Sequence, residues 1–185
     1  MRYGIKSVSM DDLAHEIGIS KKTIYQEVDD KAKLVTEVLN HHIQCEEQHL
    51  QEIKLKESNA ISQLVGISKK VLELLRNLRP VLLYDLKKYY PETWQLMQKN
   101  FFPLIERVME DNLRLGKRQG MYRQNLDEKV VARLYVNMAK TLNDDTIFDL
   151  DEFDRSLLFK QMMEYHIRGI ISPENIKKMD WSFLD

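Results

Sequence analysis

The run SKKTIYQEV, residues 20–28, gathers the side chains best suited to making hydrogen bonds at a surface. On a helix of about 3.6 residues per turn, Lys21, Lys22, Thr23, Tyr25 and Gln26 point outward while Ile24 and Val28 turn inward. Lysine ammoniums bind phosphate oxygens, and amide or hydroxyl groups exchange hydrogen bonds with base edges in a major groove. No Gly-rich phosphate loop, nucleophile elbow or His-Glu-x-x-His helix occurs in the chain, so no catalytic residue, enzyme activity or cofactor is assigned. His41, Cys45 and His49 recur every four residues and share a helix face, with His42 close by. Zinc ligands normally converge from more than one element, and no second cysteine exists, so a polar face is expected and no metal is assigned. Asp144, Asp145, Asp149 and Asp151 lack the glycine and closing glutamate of a calcium loop.

Short elements must hold the Lys21–Gln26 face in place. Ser9 can cap a first helix, with Asp11 and Asp12 in its first turn where the helix dipole favours them. Leu13, Ala14 and Ile17 form one apolar side, and small Ala14 lets a second helix approach. Gly18 can take the left-handed conformation of a sharp turn, Ile19 is expected to plug the corner, and Ser20 caps the next helix. Two short helices around a glycine turn, apolar on their inner sides, suit a helix-turn-helix. The same spacing also occurs in an amphipathic hairpin with a solvated outer side, and spacing leaves both open.

The whole chain agrees with helices. Its 185 residues are 43% hydrophobic and 31% charged, with only 6 Gly and 4 Pro to make the turns an all-β fold needs. Helices are expected at 9–17 and 20–27, from Lys31 towards Glu57, and at 60–78, with a break at Pro80 before 81–90. Pro91 opens another towards Gly116, bent at Pro103; a loop over 116–127 ends in Asp127 as cap, and helices follow at 128–141 and 151–169, with a short one from Pro173. The expected architecture is all-α, with a helix-turn-helix head over 1–39 and a helical bundle over 40–185. Net charge is −1, and residues 1–35 carry six basic and six acidic side chains, so any nucleic-acid binding must be local. A single cysteine fits a reducing, cytoplasmic setting. No apolar run approaches the ~20 residues that span a bilayer, and MRYGIKSVSM has no signal-peptide core, so no membrane partner is expected.

The segment YGIKSVSMDDLAHEIGISKKTIYQEVDDKAKL, residues 3–34, resembles the DNA-binding signature of the TetR-type, or tetracycline-repressor-like, regulators. The closing YHIRGIISPE, residues 165–174, is similar to that family's C-terminal run. The resemblance implies a three-helix head joined by a fourth helix to a ligand-binding, dimer-forming body. It implies a homodimeric repressor released from a double-stranded DNA operator by a small-molecule effector. Carried onto this chain, Ser9 and Ser20 sit at helix starts that hold phosphates, and Lys21, Lys22, Thr23 and Gln26 read the groove. Tyr25 meets the sugar-phosphate backbone, and Lys31 matches a phosphate-contacting lysine. Two departures stand out. Glu27 and Val28 occupy positions where the family usually has an aromatic or histidine pair, so Glu27 brings negative charge towards DNA. The family's first helix should precede Tyr3 and almost all of it is absent, which would leave the face formed by Leu13, Ile17 and Ile24 partly exposed. A misplaced start, or a DNA-silent dimeric ligand-binding protein, are the two explanations left open.

Aromatic and methionine side chains collect around the middle helices: Tyr84, Tyr89, Tyr90, Trp94, Met97, Phe101, Phe102, Met109 and Tyr122. Such residues either pack as core or line an adaptable apolar pocket. The resemblance favours a pocket, and Tyr84, Trp94, Met97 and Phe101 are the nominated contacts for an apolar or aromatic effector. Segments 128–141 and 151–170 correspond to the helix pair that forms the family's dimer interface. Val130, Leu134, Val136, Leu157, Leu158, Met162, Tyr165 and Ile170 supply apolar surface for pairing or for burial within one subunit.

Overall fold

A computed structural model describes residues 4–77, 80–142, 144, 146–149 and 152–184; Asp145 and Asp151 of the acidic loop lie outside them. Helices run in the order α1 Met10–Ile17, α2 Lys21–Glu27, α3 Lys31–Lys56, α4 Ala60–Asn77 and α5 Pro80–Tyr89. They continue with α6 Pro91–Arg118, α7 Glu128–Thr141, α8 Arg155–Ile170 and α9 Pro173–Ile176, before a 3-10 turn at Ser182–Leu184. Among the described residues there is no strand, only an isolated antiparallel bridge between Tyr122 and Ile171. The all-α expectation holds. No described helix is long and apolar enough to cross a membrane.

Local chemistry accounts for most of the boundaries. Asp127 accepts a hydrogen bond from the Val130 amide at 2.9 Å and so opens α7. The last long helix begins at Arg155, later than the expected 151, because the Asp154 carboxylate caps it by accepting from the Leu157 amide at 2.9 Å. Pro80, Pro91 and Pro173 stand at helix starts, where a missing N–H costs nothing. Pro103 is carried inside α6, where it leaves the carbonyl four residues earlier without its helical donor.

The chain forms two compact units. The smaller comprises Met1–Glu47 with Leu78–Phe101, and the larger Gln48–Asn77 with Phe102–Asp185. The backbone of α3 and of α6 runs from one unit into the other.

The larger unit holds the main core. Leu64, Met109, Leu113, Tyr122, Met163 and Ile167 are almost wholly buried there. Each such aliphatic side chain stabilises the fold by about 1.5–3 kcal/mol relative to exposure. A polar chain crosses this core: the Tyr122 hydroxyl donates to Asn112 Oδ1 at 2.9 Å, and Asn112 Nδ2 donates to the Ala60 carbonyl at 2.8 Å. Gln119 completes it, accepting from the Ala60 amide at 2.9 Å and donating to the Ser58 carbonyl at 2.9 Å. Tyr122 lies flat against α6, so close that a Cβ on Gly116 would stand 2.0 Å from its ring. Only glycine fits at that position. Burial pushes the Tyr122 and Tyr135 phenols well above the usual tyrosine range.

The smaller unit has a core of its own, made of Met10, Ala14, Ile24 and Val28 with Leu13 and Leu34 packed against it. One expectation fails here: Ile19, expected to plug the corner, is 42% exposed. Ile17, on the face expected to be partly exposed, is 59% exposed, so neither closes the hairpin. Met10 does so instead: with Ala14 it shares one side of α1, whereas Ile17 sits in the final turn, past the described side chains of that core. Within the unit, polar contacts tie the loop before α1 to α5 and tie α3 to the start of α6. The Lys6 amide donates to the buried Asp85 carboxylate at 2.8 Å, and the Thr36 and Thr93 hydroxyls meet at 2.7 Å.

His166 generates a pH prediction. It is 5% exposed and packs on Tyr135 with ring centroids 4.9 Å apart. Burial holds its imidazole down to about 4, against 6.5 for a free histidine. The unfolded chain therefore takes up this proton first, so the contribution is full above about pH 6.5 and is lost as the pH falls towards 4. His166→Gln should flatten urea-unfolding stability between those pH values by on the order of 2–3 kcal/mol. An unchanged profile would refute the assignment.

Candidate nucleic-acid interface

Two capped helices and a glycine corner set the candidate surface. At Ser9 a full capping box forms: Ser9 Oγ accepts from the Asp12 amide at 3.1 Å, and Asp12 Oδ2 accepts from the Ser9 amide at 2.7 Å. Asp12 also accepts from the Ser9 hydroxyl at 2.7 Å, and these Ser9 donors hold its carboxyl below the usual range. At the other end of α1, Gly18 adopts φ 71°, and the Ile19 amide reaches back to the Ala14 carbonyl at 3.0 Å. The expected sharp corner is present. Ser20 then caps α2 by accepting from the Thr23 amide at 3.0 Å, with the two hydroxyls 2.7 Å apart.

The side chains divide as the helical period requires. Ile24 and Val28 are buried, while Lys21, Lys22, Thr23, Tyr25 and Gln26 are exposed together on one helix of seven residues. Glu27 is exposed beside them. The surface carries ammonium, hydroxyl, phenol and amide groups, a set able to hydrogen-bond to phosphates and to base edges.

Its electrostatics are less simple. Lys21 Nζ is ion-paired with Asp11 Oδ2 at 2.8 Å, and that hydrogen-bonded carboxylate holds the lysine above its usual range. Lys31, expected at a phosphate, donates to the carbonyls of Ile5, Lys6 and Val8 and so braces the loop before α1. Lys33 pairs with Glu37 at 2.8 Å. Asp11 was not singled out from the sequence, where it reads as a dipole partner of α1; nothing in a helical period links positions ten residues apart across a corner.

The nominated effector contacts all fall in the smaller unit. Trp94, Met97 and Phe101 follow one another at three- and four-residue spacing along one side of α6, each half-buried. Tyr84 is half exposed on α5, its hydroxyl accepting from Lys88 Nζ. In the larger unit, Val130 and Leu134 on α7 and Leu157 and Tyr165 on α8 are exposed apolar side chains. Val136, Met162 and Ile170 are buried within the larger unit and Leu158 packs against its core, so these four leave the expected pairing surface. On α3, Cys45 Sγ lies 3.6 Å from His41 Nε2, and no group of three potential metal ligands converges among the described residues.

No family model matches the chain, and no curated protein matches it significantly. Solved structures share its fold. A transcriptional regulator from Cytophaga hutchinsonii superposes with a TM-score of 0.72 at 19% identity, over 92% of this chain and 91% of that one. A TetR-family transcriptional regulator from Agrobacterium tumefaciens gives 0.66 at 18% identity, over 92% and 90%. The transcriptional regulator FadR from Bacillus subtilis, in complex with stearoyl-CoA, gives 0.60 at 13% identity, over 90% of each chain. The fold is the all-α TetR fold, and these neighbours are transcriptional regulators, not enzymes.

The Asp11–Lys21 pair gives a direct test. Asp11→Asn frees the Lys21 ammonium while keeping the shape of the side chain. It should strengthen binding to duplex DNA severalfold and steepen the salt dependence by about one phosphate contact. Fluorescence anisotropy across a salt series measures both; an identical salt slope would show that the pair does not restrain Lys21.

Proposed function

We propose that this protein is a DNA-binding transcriptional regulator, a homodimeric repressor released from its operator by a small-molecule effector. One observation carries the reading: the exposed Lys21–Gln26 surface stands on a capped helix, turned at a left-handed Gly18 over the buried Met10, Ala14, Ile24 and Val28. α2 is the helix that enters the major groove. Lys22, Thr23 and Gln26 read base edges, Lys21 and Tyr25 hold backbone, and Ser9 and Ser20 present the helix starts to phosphates. Lys31 positions the loop leading into Ser9 and approaches phosphate from there. The reading places the protein in the cytoplasm with its operator.

Support for the effector comes from the fold, since FadR of the same fold was solved with stearoyl-CoA. Tyr84, Trp94, Met97 and Phe101 are the effector contacts in this proposal. In this reading a ligand-driven change in α6 passes to α3 inside the smaller unit, where the Thr36 and Thr93 hydroxyls meet at 2.7 Å.

Pairing uses the outer sides of α7 and α8, where Val130, Leu134, Leu157 and Tyr165 are exposed. A second copy fits them because a two-fold dimer presents one patch to itself and two reading helices to a palindromic operator. The second reading, a dimeric ligand-binding protein silent towards DNA, is favoured by exposed Ile17 and by exposed Glu27 on the reading helix.

Gel-shift binding to the DNA upstream of its own gene, with and without candidate effectors, separates the two readings. Gln26→Ala should relax preference at particular base pairs by about 1–3 kcal/mol, whereas Lys21→Ala should weaken all duplexes alike. Equal losses on specific and random DNA for both variants would refute that division. For pairing, Leu134→Glu should shift sedimentation from dimer to monomer and abolish tight operator binding with the fold intact by circular dichroism. A Leu134→Glu protein that remains dimeric would exclude this surface.

A further inference from the structure

We infer that Lys6, in the loop before α1, and Lys88, on α5, form a second DNA-backbone contact outside the reading helix, with their ammoniums held on tyrosine rings. This inference rests on the DNA-binding reading above.

Lys6 Nζ lies 4.2 Å above the Tyr89 ring centroid, and Lys88 Nζ lies 5.6 Å from the same ring. Lys88 also sits 5.0 Å from the Tyr84 centroid and donates to its hydroxyl. The two rings meet edge to face, centroids 6.5 Å apart. Tyr84 is 50% and Tyr89 36% exposed, so the cluster faces solvent. Among the described residues, neither Lys6 nor Lys88 lies within ion-pair distance of a carboxylate.

An aromatic ring orients an ammonium without cancelling its charge. A carboxylate orients it and neutralises it. Lys21 and Lys33 are of the second kind, so part of the positive charge of residues 1–35 is already neutralised. Lys6 and Lys88 are ordered and still positive, as a polyanion with closely spaced phosphates requires. The ligand is a phosphodiester backbone because both lysines belong to the same compact unit as the reading helix, and Lys6 is three residues from Ser9, the cap of α1. The buried Asp85 ties the loop before α1 to α5 by accepting from the Lys6 amide at 2.8 Å.

The test uses the full chain and a fluorescein-labelled duplex of random sequence, titrated across a salt series. Lys6→Gln and Lys88→Gln keep the carbon stems and remove the charges. Each should lower the log–log salt slope by about one, and the double variant by about two. Lys177→Gln with Lys178→Gln, exposed near the C-terminus, makes the same change in net charge and should leave the slope unaltered. Tyr89→Leu keeps both charges and removes the ring that orients them; it should weaken binding with a smaller change of slope, and it covers the case in which a lysine variant folds poorly. If the wild-type protein binds the duplex and the double variant keeps its slope, this contact is overturned while the helix-turn-helix reading stands. If the wild-type protein binds no duplex at all, both fall. Loss of binding to phosphatidylserine vesicles with an unaltered DNA slope would also overturn it, assigning the cluster to a membrane.

Discussion

A left-handed residue at the end of α1 sets the geometry on which the exposed Lys21–Gln26 surface depends. With Gly18 at φ 71°, the chain reverses tightly enough for Ile24 and Val28 to reach Met10 and Ala14. No residue with a Cβ adopts that conformation without strain. Once the corner is made, α2 has only one apolar side to bury, and its polar residues must face solvent together. Four buried side chains are a small core, so capping matters more than usual: the box at Ser9 and the cap at Ser20 satisfy helix-terminal amides that packing cannot cover.

Charge in the smaller unit is arranged locally and does not reflect a large net value. With a net charge of −1, any attraction for a polyanion comes only from the way the cations are held. Lysines there are held in three ways: by carboxylates, as for Lys21; by main-chain carbonyls, as for Lys31; and by aromatic rings, as for Lys6. These differ in how much charge remains for an outside partner. The placement of Asp11 against Lys21 is as consequential as the lysine itself, because a modest exposed pair is easily exchanged for a phosphate.

The larger unit solves a different problem, the burial of polar groups inside a helical core. Tyr122, Asn112 and Gln119 bond one another's helices through the backbone at Ala60, so every polar atom named in that chain has a partner. This network holds the start of α4 to the second half of α6, and Gly116 allows Tyr122 to come close enough to join it. His166 is a titratable group of this core kept neutral by burial against Tyr135.

Much of this was legible in the order of residues. Serine before acidic turns, glycine after an apolar run and prolines at helix starts are local signals, governed by backbone conformations that a few neighbours control. They marked the two short helices, the corner, the outward polar surface and the all-α class. What a linear reading missed involves distance in sequence. Ile17 belongs by period to the buried side of α1, yet burial depends on which other element arrives to cover it. Lys31 has the right type and place for a phosphate, but its ammonium is engaged by carbonyls 23 to 26 residues earlier. Val136 and Leu134 lie two positions apart on one helix, and packing against the rest of the larger unit buries the first and leaves the second exposed. Helical period names the sides of an element; which side meets solvent, a neighbour or a charge is settled only when distant segments pack, because burial and Coulomb interactions act through space.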